Sequence, residues 1–147
     1  MISKVLREAN PNCAKTFASL RLYGDSLEPK EVSRLLQLDP DDSAPKGLKT
    51  TVSGKSRTAP TGRWILRTEG RIESTNLEDH IEWLVDHLEK AGVSPIHIEG
   101  VTAADLFCFW DSATGHGGPK FSPELLNRLA KLQLSLGLDI YFSAANK

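Results

Sequence analysis

Four stretches of the chain alternate apolar and polar side chains with the period of a strand, and three repeat apolar residues with the period of a helix. In Phe17–Tyr23 (FASLRLY), Ala18, Leu20 and Leu22 share one face, with Ser19 and Arg21 opposite. Arg63–Glu69 (RWILRTE) sets Trp64, Leu66 and Thr68 against Ile65 and Arg67. Asp105–Trp110 (DLFCFW) is apolar on both faces, which predicts a central strand. In Leu136–Phe142, Leu136, Leu138, Ile140 and Phe142 alternate with Gly137, Asp139 and Tyr141. A first helix is predicted over 29–38, opened by Pro29, whose missing N–H costs nothing in a first turn, and stopped at Asp39-Pro40. The second, over 76–91, opens on the capping-box pattern Thr75-Asn76-Leu77-Glu78 and closes at Gly92. The third, over 123–133, is announced by Ser122-Pro123-Glu124 and carries Leu125, Leu126, Leu129 and Leu132.

The resulting order is β-α-β-α-β-α-β. Its two halves resemble each other, LRLY…LEPKEVSRLLQL and LFCFW…FSPELLNRLAKL. Two right-handed βαβ units in one sheet predict an α+β fold of ferredoxin-like character: four strands, helices on one face, and an extra helix connecting the halves. The uncovered face then needs a cover, a partner or a ligand. Residues 1–15, with the turn Asn10-Pro11-Asn12, read as an N-terminal arm before a single domain over 16–147. Residues 39–62 hold three prolines and three glycines and read as a long loop of the functional or mobile kind, with a short extended segment near Leu48–Val52.

Composition narrows the classes. At 147 residues, 39% hydrophobic and 25% charged, the chain suits one globular domain. A net charge of −1 gives no overall basic character, so nucleic acid is not an expected partner. No apolar run approaches the roughly 20 residues that span a bilayer, and the N-terminus lacks a signal-peptide core. No membrane association and a cytoplasmic location are expected. Cys13 and Cys108 make neither a disulfide framework nor a zinc motif. Cys108, between Phe107 and Phe109, reads as a buried hydrophobe, and Cys13, in the arm, as an exposed thiol.

Several segments together resemble the uncharacterised bacterial "domain of unknown function 4279" family. They are SLRLYGDSLEPKEVSRLLQL, PKG in the long loop, GRWIL, LEDHIEWLVDHLE, LFCFW, the GGP turn, SPELLNRLAKL and LDIYF, spanning about 17–142. The resemblance implies a small cytoplasmic α+β domain and brings no catalytic residues with it. Some such domains sit in toxin–immunity contexts.

Three constellations carry candidate chemistry. On the second helix, Leu77, Ile81, Leu84, Val85, Leu88 and Ala91 form one face, Glu78, Asp79, Glu82, Asp86 and Glu89 an acidic one, and His80, Trp83 and His87 the border. His80, Glu82, Trp83, Asp86 and His87 are therefore candidates for a partner-binding stripe, tryptophan being frequent at interface hot spots. A metal there is disfavoured, because seven helical residues separate the imidazoles by roughly 10.5 Å. From Ser43 to Arg67 lie six basic residues and no acid, whereas Glu69 to Glu99 holds eight acids against two bases. The basic segment therefore either folds onto the acidic helix or offers an anion site. The loop DSATGHGGPK carries Asp111, His116 and Lys120 before a helix N-terminus. Trp64 and Trp110, both on strands, belong either to the core or to an aromatic-lined pocket.

No catalytic constellation, P-loop or nucleophile elbow is present, and nothing calls for a cofactor or metal. The sequence points to a non-catalytic protein-binding module, of which an immunity protein is one version, monomeric or homodimeric. The alternative is an anionic-ligand or enzyme domain. It would use a pocket between the 43–63 and 111–120 loops, with Arg63, Trp64, Arg67, Trp110, Asp111, His116 and Lys120 as candidate ligand-binding groups.

Overall fold

Strand β1 (Cys13–Gly24) is the middle of the sheet, and its even-numbered residues Ala18, Leu20 and Leu22 are fully buried. The structure is a computed structural model that describes residues 5–143. The other elements are α1 (Pro29–Leu36), β2 (Asp42–Ala44), β3 (Lys49–Val52), β4 (Lys55–Thr58), β5 (Gly62–Arg67), α2 (Leu77–Ala91), a 3-10 turn (Pro95–His97), β6 (Ala103–Ser112), α3 (Pro123–Lys131) and β7 (Ser135–Tyr141).

One sheet has five strands in the order β2-β5-β1-β6-β7, and β3 and β4 form a separate two-stranded ribbon. The fold is thus α+β with a mixed sheet, and the expectation of four strands is corrected to five. The added strand is β2, three residues hidden in the segment read as loop. The ribbon came from the same segment: Ser53 and Gly54, at φ 53° and 78°, make the left-handed turn that joins two polar strands. β1 pairs antiparallel with both β5 and β6, while β6 and β7 are parallel. The first half therefore does not form the expected parallel unit between β1 and β5. The strand that α1 leads into is β2, which runs parallel to β1 with β5 inserted between them. Only β6-α3-β7 is a βαβ unit of adjacent strands; β1-α1-β2 has β5 inserted and β5-α2-β6 has β1 inserted, so the halves pair differently from the expectation.

Helix α2 packs on β1 and β6, flanked by α1 and α3. Leu77, Ile81, Leu84, Val85 and Leu88 meet Leu20, Leu22, Leu66 and Leu106 in one core, with Trp64 and Trp110 fully buried among them. The cap of α2 is Asn76, whose side chain accepts from the Glu78 amide, rather than Thr75 as the capping-box reading had it. The Thr75 hydroxyl accepts from the Asn10 amide at 2.9 Å instead. Gly92, at φ 69°, ends the helix in the left-handed conformation as expected. Ser122 caps α3 by accepting from Leu125.

Strand β1 starts four residues earlier than its apolar alternation indicated, inside the segment read as an arm. Cys13 is consequently buried rather than exposed. Both cysteines are free thiols, and burial pushes the Cys108 thiol up to about 12. Among the described residues no helix is long and apolar enough to cross a membrane.

Candidate functional site

All three helices lie on one side of the sheet, so the odd-numbered residues of β1 and β6 face away from them. Register fixes what they meet. Arg67, Ser19, Phe107 and Gly137 form one row across β5, β1, β6 and β7; Ile65, Arg21, Asp105 and Ser135 form the row on one side, and Phe17, Phe109 and Asp139 the row on the other. The rings of Phe17 and Phe109 stack at 5.0 Å and 13°, and Tyr141 continues the stack 5.1 Å from Phe109. The Arg21 guanidinium lies 4.2 Å from the Phe107 ring centroid and is held there by two hydrogen bonds to Asp105, 2.8 and 2.6 Å.

The small side chain of Ser19 in the middle row leaves a groove between the larger side chains around it. The groove holds about 300 Å³ and is lined by Phe17, Tyr23, Ile65, Arg67, Phe107 and Phe109, among others. Arg63, also on this face, is paired with Asp42, whose carboxyl it holds below its ordinary value. Arg67 differs. Among the described residues its guanidinium makes no hydrogen bond or salt bridge, although its charge acts on the Asp42 carboxylate, and its backbone N–H donates to Asp41. A half-buried, unpaired guanidinium beside flat aromatic surface is equipped to take a carboxylate or phosphate together with an apolar group.

A larger groove of about 630 Å³ lies between residues 6–9, the start of β1 and the β5–α2 connection. Its cations are already neutralised. Arg7 binds Asp79 (Nη1 to Oδ1, 2.8 Å) and Glu82, and Lys15 binds Glu69. Asp79 is fully buried, accepting also from the Arg7 amide at 3.1 Å and the Ser74 hydroxyl at 2.6 Å. The acidic helix is thus not a solvated face at this end: Glu78 and Asp79 are buried beneath Arg7. At its other end Arg128 of α3 binds Asp86 and Glu89. The basic 43–67 segment does not fold onto these acids. Lys46 pairs with Asp25 and Arg63 with Asp42, while Lys49, Lys55 and Arg57 lie on the exposed ribbon.

Trp83 and His87 are half-buried, their rings 4.2 Å apart, and the His87 Nδ1 sits 2.7 Å from the Trp83 carbonyl oxygen. His80 is not at a border but buried. Its Nε2 is 2.8 Å from the Ser74 carbonyl oxygen, which can only accept, so Nε2 carries the proton and Nδ1 accepts from the Thr68 hydroxyl at 2.7 Å. Burial lowers the pKa of this imidazole, outweighing the Ser74 carbonyl and the nearby Asp79 and Glu73, which act to raise it. Below the ordinary value of 6.5 the unfolded chain binds a proton that the folded chain refuses, so stability falls as the pH drops through that value. The denaturant midpoint is expected to drop between pH 7.5 and 5.5, and to drop less in His80→Gln, whose amide can still donate to Ser74. Equal drops in the two proteins would contradict this.

The pocket expected between the 43–63 and 111–120 loops does not form. Gly62 pairs with Gly24 at one end of β1, and Ser112 pairs with Cys13 at the other. Twelve strand residues separate those ends by roughly 35 Å. Trp64 and Trp110 face the helices, and the Trp64 indole donates to the Ser33 hydroxyl. Asp111 accepts from the Ser143 amide; His116 and Lys120 are exposed in their loop. Of the proposed ligand-binding residues, the structure brings Arg63 and Arg67 onto the open sheet face with Asp111, and leaves the others elsewhere. Phe17, Arg21, Phe107, Phe109 and Tyr141 are not among the candidates the sequence offers. Their signal was present in the strand DLFCFW, apolar on both faces, combined with helices sufficient to cover one.

A protein-family model described as "Domain of unknown function (DUF4279)" matches residues 14–143. No curated protein and no solved structure matches the chain.

Proposed function

The chain belongs to the family described as domain of unknown function 4279, and from that premise we propose that it is a non-catalytic binding module whose open sheet face receives a protein partner. The observation that carries the reading is the aromatic and arginine surface formed by Phe17, Phe107, Phe109, Tyr141, Arg21 and Arg67, covered by no helix among the described residues and cleft by a groove that Arg67 lines without a hydrogen bond from its guanidinium. Aromatic and arginine side chains are the ones that dominate protein interfaces. The partner would present a carboxylate for Arg67 and an apolar side chain for the groove. An immunity-type role is the case in which that partner is a toxin.

The titratable groups support a binding role over a catalytic one. Both thiols are buried and their pKa values raised, and His80 is locked by two hydrogen bonds. The charge argument for the α2 face is also weakened, since Arg7 and Arg128 engage its acids from within the fold.

Replacing Phe109 by a photo-crosslinking phenylalanine analogue, with the same replacement at Trp83 as comparison, tests this in the native host. A protein adduct from position 109 and none from position 83 is expected. Adducts from 83 alone would return the site to the helix. Absence of any protein adduct at 109 would leave a small anionic ligand as the better occupant of the groove.

A further inference from the structure

The two edges of the five-stranded sheet are built differently. Strand β2 is three residues long and lies between Pro40 and Pro45, which blocks further pairing. Strand β7 has seven residues, contains no proline and, among the described residues, pairs with β6 alone. Natural sheets usually protect such an edge with lysine, proline or a bulge; this one carries none. It is also where exposed apolar side chains gather. Leu138, Ile140, Tyr141 and Phe142 are 40–44% exposed, and Leu126, on the helix that leads into this strand, is 47% exposed. Leu138 and Ile140 lie on the helix side and Tyr141 on the open face, so exposed apolar surface flanks this edge on both faces.

We propose that β7 pairs with β7 of a second copy of this chain, antiparallel about a two-fold axis, joining two sheets into one of ten strands. The sequence of the strand, SLGLDIY, argues for a second copy rather than an unrelated segment. With the axis at Leu138, that residue faces its own equivalent and Leu136 faces Ile140 of the other copy. Both pairs lie on the helix side, because Leu136, Leu138 and Ile140 align with Leu106, Cys108 and Trp110 of β6. The single charge, Asp139, then faces Gly137 of the other copy. Moving the axis to Asp139 would set the two carboxylates directly opposite each other, which disfavours that register. An isologous pair uses the same patch twice, so one apolar strand suffices for both sides. The open faces of the two copies would become continuous and present two grooves.

Sedimentation of the intact protein over a wide concentration range reads the association directly. A monomer–dimer equilibrium is expected, weakened about tenfold or more by Leu138→Lys, which puts a charge in the centre of the apolar row. Leu138→Cys supplies a second readout: mild oxidation should give a covalent dimer, because the two positions face each other across the axis. Val52→Cys, on the exposed ribbon, should give none. Cys13 and Cys108 are buried and stay silent. A protein that remains monomeric throughout, or a dimer that survives Leu138→Lys and does not crosslink through position 138, would overturn the proposal. So would a dimer that crosslinks through position 52 instead.

Discussion

Leu84→Asp is expected to leave little folded protein at 25 °C. Leu84 is fully buried at the centre of the apolar face of α2, among side chains from β1 and β6. No cation lies in that core, so the new carboxylate has no partner. The loss of packing and the unpaired charge together cost about 4 kcal/mol or more, against a total stability of about 5–15 kcal/mol for a domain. Glu82→Ala, two residues away on the rim, is the control. Glu82 is one of three acids around Arg7, and Asp79 keeps that guanidinium bound, so the change should cost only about 0.5 kcal/mol. Urea titrations of the two variants should differ widely in midpoint; similar midpoints would contradict the placement of α2.

Gly24→Ala is the second large effect, and its cause is steric. A Cβ on Gly24 would stand 1.8 Å from the Gly100 carbonyl oxygen and 2.9 Å from its carbon, both backbone atoms. Gly100 cannot retreat freely. It holds φ 89°, packs against the Ser26 carbonyl, and sits two residues before Thr102, whose amide donates to Tyr23 at 2.8 Å. A single methyl group must therefore displace the segment that leads into β6, at a cost of about 3 kcal/mol. Gly70→Ala separates this from a general intolerance of glycine replacement. No atom lies within 4 Å of its Cβ position, but at φ 81° the backbone strain alone costs about 1 kcal/mol. Thermal unfolding should therefore rank Gly24→Ala well below Gly70→Ala, and the reverse order would show that the crossing at Gly24 is looser than described.

The sequence carried the core side of this fold with little ambiguity. A period of two in FASLRLY and RWILRTE and a period near 3.6 in LEDHIEWLVDHLE each have one burial solution, and those residues are buried as their spacing requires. Strand β2 and the ribbon lacked that signal. KTTV and KSRT are exposed at every position, so no apolar alternation marks them. Tertiary pairing was also hidden: nothing local tells that Arg7 reaches Asp79, seventy-two residues away, or that Arg128 reaches Asp86. For that reason the sequence does not show that the acids of α2, read as a partner surface, are engaged by arginines from elsewhere in the chain. Gly24 and Gly100 mark a close backbone crossing that no local pattern announces.

The site was legible in one respect and illegible in another. Phe107 and Phe109 on the outer side of DLFCFW, with Phe17 and Tyr23 on the outer side of FASLRLY, already place aromatic surface where a solvated sheet would carry polar residues. Locating the groove needed the register, because Ser19, Arg67 and Phe107 come from three different strands. The failed pocket between two loops has the same origin. Loops distant in sequence fall at one end or the other according to strand direction, and the antiparallel pairing of β1 with β5 and β6 sent them to opposite ends.

The central claim is that the open sheet face, and not the acidic helix, makes the contact. Its most direct test is a binding titration of the partner identified by crosslinking against two variants whose melting midpoints match the parent protein. One is Arg67→Glu with Phe109→Ser, and the other is Trp83→Ala. The first should bind about a hundredfold more weakly, as expected for removing a charge contact and an aromatic anchor together, and the second within about threefold of the parent. Unchanged affinity in the sheet-face variant, with loss in Trp83→Ala, would contradict the account.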